Sequence, residues 1–150
     1  MLFRSDAVNR YDWAAAAQCT DVADWVAGMI AVHRAHPAFR LSDDADVRRA
    51  IAFLPNTGSV IAWTIDGRVA KDPARRILVA LNGQGTPAKV SLPPGQWSVL
   101  VDAAKAGPVP HATLKGSADL PPESMLVAVD RKSTRLNSSH SSVSRMPSSA

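Results

Sequence analysis

Ser59-Val-Ile-Ala-Trp-Thr-Ile-Asp-Gly67, followed nine residues later by Arg76-Ile-Leu-Val-Ala-Leu-Asn-Gly83, decides the fold class of this chain. In the first run Ile61, Trp63 and Ile65 fall on alternate positions, the period of a half-buried strand. The first run ends in Asp-Gly and the second in Asn-Gly, both strong turn signals. Working outward, similar short runs recur at Ala50–Leu54, Ala88–Leu92, Trp97–Val101, Ala112–Lys115 and Met125–Val129. Pro55-Asn-Thr-Gly58, Pro93-Pro-Gly95, Gly107-Pro108 and Pro121-Pro122 punctuate them. Short strands at this spacing predict an antiparallel β-sandwich or barrel. Gly83-Gln-Gly85 reads as a hairpin turn, because no helix follows whose N-terminus could face a phosphate. The stretch 103–122 reads as a long connection holding one short strand.

Upstream the pattern changes. Val22, Trp25, Val26, Met29, Ile30 and His33 follow helical spacing and predict one apolar stripe on a helix from Asp21 to His36. Thr20 suits the N-cap, Asp21 and Asp24 suit the positive end of the dipole, and Pro37 stops the helix. Asp43 to Arg49 reads as a short polar turn or a single helical turn. Nothing N-terminal to the helix offers that stripe a partner, so the helix is expected to dock poorly on its own sandwich.

Both chain ends read as translated sequencing adapter. Asp130-Arg-Lys-Ser-Thr-Arg-Leu-Asn-Ser-Ser-His140 and Ser144-Arg-Met-Pro-Ser-Ser-Ala150 match the reading of a common library adapter, and Leu2-Phe-Arg-Ser5 matches the opposite one. Segments 1–5 and 130–150 are therefore set apart as scars, the Ser-rich tail being too poor in apolar residues to offset its ordering entropy. The chain has 17 Lys+Arg against 13 Asp+Glu. The scars hold Arg4, Arg131, Lys132, Arg135, Arg145 and Asp130, so twelve of each sign remain between Asp6 and Val129. The pI of 9.7 is then no argument for nucleic acid or an anionic membrane as partner. No apolar run approaches the length that spans a bilayer. Cys19 is the single cysteine, which excludes an intrachain disulfide and a cysteine metal cluster. The compartment stays open between bacterial cytoplasm and secretion.

Candidate chemistry is sparse. His33 and His36 lie three apart on the helix without a third metal ligand, so capping or packing is the plainer reading. Asp43-Asp44-x-Asp46 lacks the rest of a calcium loop. His111 is a loop residue without a visible partner. Trp63 and Trp97 suit either core packing or a sugar-stacking platform. Asp6-Ala-Val-Asn-Arg-Tyr-Asp-Trp13 is denser: two carboxylates, an amide, a guanidinium and two aromatics in eight residues. These groups hold sugar hydroxyls and sugar faces, and equally suit an ordinary loop anchored by its aromatics.

That segment, together with Gly28-Met-Ile-Ala-Val-His-Arg-Ala-His-Pro-Ala-Phe-Arg40, resembles the end of the catalytic domain of type I pullulanases, starch-debranching members of the alpha-amylase superfamily. The likeness continues through Gly58-Ser-Val-Ile-Ala-Trp63, Ile77-Leu-Val-Ala-Leu-Asn82, Leu92-Pro-Pro-Gly-Gln-Trp97, Val101-Asp102 and Leu120-Pro-Pro-Glu-Ser-Met-Leu-Val127. The resemblance implies a mainly β chain. Residues 6–40 would close a (β/α)8 barrel, contributing the loop after its eighth strand and its last helix. Residues 41–129 would be the C-terminal antiparallel β-sandwich. Asp6 and Asn9, and less directly Asp12, would contact an α-glucan such as pullulan, limit dextrin or glycogen. Asp12-Trp13 would alternatively fasten the loop. The family's retaining hydrolysis of α-1,6 bonds uses carboxylates on upstream barrel strands, so the chain itself is expected to be inactive. No catalytic residue, metal or cofactor is carried over. A non-catalytic carbohydrate-binding module is the competing class, and it requires exposed aromatics on one face.

Overall fold

The computed structural model describes residues 12–55 and 58–130. Of the stretches read as scars, 1–5 and 131–150 lie outside the described residues, as do Asp6 and Asn9. Helices come first: α1 (Trp13–Ala16), α2 (Thr20–Ala35), a 3-10 turn (Pro37–Arg40) and α3 (Asp44–Ala50). Among the described residues eight strands follow: β1 (Ile51–Phe53), β2 (Val60–Asp66), β3 (Arg76–Asn82), β4 (Ala88–Ser91), β5 (Trp97–Val101), β6 (Ala112–Leu114), β7 (Ser117–Leu120) and β8 (Ser124–Asp130). Among the described residues no helix is long and apolar enough to cross a membrane.

All named pairings are antiparallel, in a six-stranded sheet ordered β1-β2-β3-β8-β5-β6 and a two-stranded sheet β4-β7. The architecture is therefore mainly β, as expected. One face of the large sheet packs on β4-β7, burying Ala62, Leu78, Ala80, Val90, Trp97 and Leu126. The other face packs on α2, the 3-10 turn and α3, burying Val32, Ile65, Ile77, Val79, Leu100 and Val127. Because the central strands are covered on both faces, β3 and β8 read as nearly continuous apolar runs instead of alternating ones.

Several local expectations change. Gly83-Gln-Gly85 is not a hairpin turn: β3 pairs with β2 and β8, and the chain crosses through these residues to the other sheet. Asn82 fixes the crossing, its buried side-chain amide donating to the carbonyls of Thr86 and Pro121 while Gln84 N–H donates to its Oδ1. The 103–122 connection holds two strands, not one. Gly116, at φ +78°, lets the chain pass from β6 in one sheet to β7 in the other, and Ala118 and Leu120 alternate inward. The stretch 43–49 is more than a turn. Asp43 caps α3 by accepting from Asp46 N–H, and Asp44 and Asp46 pair with Arg48 and Arg49. Thr20 is the first residue of α2 and not its cap; Cys19 stands at that position without a side-chain bond.

The helix stripe divides in two. Trp25 and Met29 turn to the sheet, joined by Val32 from outside the expected stripe, whereas Val22, Val26 and Ile30 are 58%, 46% and 48% exposed. The half facing the sandwich is well held, contrary to the expected loose docking. Trp25 Nε1–H donates to the Asp102 carbonyl at 2.9 Å. Gly28 lies so close to the β5–β6 loop that a β-carbon there would stand 2.1 Å from the Ala106 carbonyl oxygen. At the far end β8 runs through Asp130, the first residue of the stretch read as scar. Arg76, opposite it in register, binds its carboxylate at 2.7 Å and spreads over the Trp97 ring.

Candidate functional site

Asp12 is the one sequence-predicted sugar contact within the described residues. Its Oδ1 accepts from the N–H groups of Ala14 and Ala15 at 3.0 and 3.1 Å, capping α1. A carboxylate at this position satisfies the orphan donors of a first helical turn. The side chain is exposed, which leaves its second oxygen facing solvent.

The two tryptophans weighed for a stacking platform cannot share one. Trp97 is 0% exposed in the core between the sheets, its Nε1–H donating to the Pro93 carbonyl. Trp63 belongs to the opposite face of the large sheet, half-buried beside Phe53 at 6.1 Å between ring centroids. Strand alternation places both side chains, and in a sheet covered on both faces alternation no longer separates buried from exposed.

Two carboxylate–imidazole pairs brace the helical layer. His36, at the C-cap of α2, approaches Asp72 of the β2–β3 loop at 2.8 Å from Nδ1 to Oδ1. The Asp72 carboxylate is completely buried and also accepts from Ala38 N–H and Ala74 N–H. His33, three residues earlier, stacks on Phe39 at 6.3 Å. No cluster suited to a metal ion occurs among the described residues. His111, expected to stand alone, meets Asp102 at 2.8 Å through Nε2. Asp102 further accepts from Ala104 N–H and Lys105 N–H. Burial pushes its carboxyl up, but the hydrogen bonds from His111 and the two amides outweigh burial and hold it below the ordinary carboxylate range. The main chain of the same residue receives Trp25. Asp102 thus joins α2, β5 and the following loop, a role no local spacing announced.

Beside this junction lies an open cleft of about 450 Å³ between α2 and three loop ends. Trp25 forms one wall, with Gly83, Ala103 and Glu123 from the β3–β4, β5–β6 and β7–β8 connections around it. A narrower, almost wholly apolar cleft of about 230 Å³ separates Met29, His33 and Phe39 from Trp63 and Met125.

Comparison with known proteins gives the relationship. Residues 47–105 match the family model described as pullulanase, all-beta domain. The pullulanase from Bacillus acidopullulyticus superposes with a TM-score of 0.79 and 27% identity, covering 84% of this chain and 16% of that enzyme. The group B Streptococcus pullulanase SAP gives 0.69 and 27%, covering 83% and 19%. The type I pullulanase of Bacillus subtilis str. 168, complexed with maltose, shares the fold at 0.74 and 22% identity, covering 85% and 18%. This chain spans less than a fifth of the length of each.

Proposed function

We propose, from the match of residues 47–105 to the pullulanase all-beta domain model, that this chain is the C-terminal part of a debranching enzyme that hydrolyses α-1,6-glucosidic bonds of starch or glycogen with retention. The observation that carries the reading is the extent of the structural match, 84% of the chain at 27% identity to such an enzyme, well beyond the residues 47–105 that the all-beta family model covers.

In this reading α2 is the last helix of a (β/α)8 barrel, and its exposed Val22, Val26 and Ile30 face the barrel strands. That accounts for an apolar stripe on a helix already seated on the opposite side. Retaining hydrolysis needs a nucleophilic carboxylate and a carboxylic acid about 5 Å apart across the scissile bond. The proposal assigns both to the barrel upstream, and to this chain the support of its last helix. Asp6 and Asn9 would reach the glucan from the loop after the last strand, since barrel enzymes build their sites from such loops. Asp12, committed to α1 through one oxygen, would contribute through the other.

Long-read sequencing of the source locus outward from the codons of Asp6 and Val129 tests this. An upstream frame encoding a barrel with acidic residues at its strand ends is the expected result. A frame that truly starts at Met1 and encodes residues through Ala150 would overturn it. In parallel, the 150-residue chain should release no reducing ends from pullulan.

A further inference from the structure

The cleft beside Trp25 has the equipment of a sugar site, and neither the family match nor the sequence motifs assign it. At about 450 Å³ it falls within the range of small-ligand pockets. One wall is the indole of Trp25, held in place because its N–H is committed to the Asp102 carbonyl. Part of the ring packs on the core and part lines the cleft, and pyranose C–H groups pack on aromatic surface of this kind.

Across the cleft stands Glu123. Its backbone sits at φ +49°, a conformation costly for a residue with a β-carbon. Two bonds hold it there: Glu123 N–H donates to the Gln84 carbonyl, and Ser124 Oγ donates to the Pro121 carbonyl. The carboxylate itself has no hydrogen bond or ion pair among the described residues. The backbone at Glu123 is thus fixed at the rim of the cleft, and its exposed carboxylate is an uncommitted acceptor there. Gly83 leaves the space beside it open, since a β-carbon there would meet nothing within 4 Å.

We propose that this cleft binds one glucose unit of an α-glucan, with the sugar face on Trp25 and vicinal hydroxyls donating to the Glu123 carboxylate. The choice of an α-glucan over other sugars rests on the debranching reading above; the sugar chemistry rests on the cleft. Trp25 lies in the N-terminal half of α2, so the site would take a single unit of a longer chain. The competing module reading had sought its aromatics on the strands; the aromatic that fits lies on the helix.

The test is a titration of the ¹⁵N-labelled 150-residue chain with maltotetraose, using cellotetraose as the β-linked control. Dissociation constants near about 1 mM are expected, as for a single small contact. Shifts should concentrate on the Trp25 indole N–H and the amides of Gly83, Glu123 and Ser124. Glu123→Gln keeps the size and backbone of an exposed residue and should weaken binding about fivefold by removing the charge from the acceptor. Absence of shifts at about 20 mM maltotetraose would overturn the site. So would shifts centred on Trp63, or an unchanged affinity in Glu123→Gln. Equal binding of cellotetraose would overturn the α-glucan assignment. None of these outcomes bears on the gene structure upstream of Asp6, so the debranching reading stands or falls separately.

Discussion

Replacing Gly28 by alanine sets two known effects against each other on one helix. In a solvated helix interior the change stabilises by about 1 kcal/mol, because glycine loses the most backbone freedom on folding. Here the new methyl would lie 2.1 Å from the Ala106 oxygen and 2.5 Å from its carbonyl carbon, where ordinary contact begins at 3.4 Å. Backbone on both sides of the clash leaves no flexible side chain to give way. The helix or the β5–β6 loop must therefore move by about 1.3 Å, the gap between those distances. Such a shift carries the 2.9 Å bond from Trp25 Nε1 to the Asp102 carbonyl beyond hydrogen-bond range. Overpacking costs about 1–3 kcal/mol and the lost bond about 1 kcal/mol. After the helix-propensity gain, a net destabilisation of about 2 kcal/mol remains. With a urea slope of about 2 kcal/mol/M, the midpoint should fall by about 1 M. The Trp25 indole N–H should also lose its protection from hydrogen exchange. A Gly28→Ala variant that unfolds at the same or a higher urea concentration would refute the seating of α2 on the β5–β6 loop.

Three further outcomes follow, two from the braces and one from an exposed ion pair. Asp72→Ala strips a buried acceptor from His36 Nδ1 and from the amides of Ala38 and Ala74, and should cost about 3 kcal/mol in urea or thermal unfolding. Asp119→Ala, which removes an exposed partner of Lys89, should change stability by less than about 1 kcal/mol in the same assay. Because the Asp102 carboxyl is held below its ordinary value in the fold, the unfolded chain binds its proton at higher pH. Its contribution is therefore present above the unfolded value of about 4 and is lost as pH falls through the folded value. Stability measured from about pH 6 down to about pH 3 should decline less steeply in Asp102→Asn than in the parent chain.

The strands were legible because period-two alternation and Gly/Pro punctuation are local signals, and β2 to β5 lie within a residue of the expected bounds. Their sheet assignment was not. Asn82-Gly83 has the composition of a hairpin, and only Asn82's bonds to Thr86 and Pro121, the latter 39 residues away, show that the chain crosses instead. β7 was hidden because a four-residue alternation, Ala118 and Leu120 against Ser117 and Asp119, is too short to stand out within a Pro-rich stretch. The helix was read correctly as amphipathic but assigned one partner. A stripe that includes both Trp25 and Val26 is wide enough for two, and sequence spacing carries no information on which half meets which neighbour. Asp102 and His111 are nine residues apart across a loop, so neither periodicity nor a motif could join them. Glu123 gave no signal, since positive φ is expected of glycine or asparagine and not of glutamate.

The place of β8 in the large sheet has a consequence for biosynthesis. It is the last of the described strands to leave a ribosome, yet it lies between β3 and β5 and pairs with both. Until Ser124–Asp130 emerges, β1-β2-β3 and β5-β6 exist as two partial sheets, each exposing an unpaired edge. Closing them joins residues as far apart as Arg76 and Asp130, a non-local step that folds slowly and leaves sticky edges open meanwhile. The decisive step of sandwich folding therefore waits for Ser124–Asp130, and a chain interrupted before Ser124 would present two aggregation-prone edges.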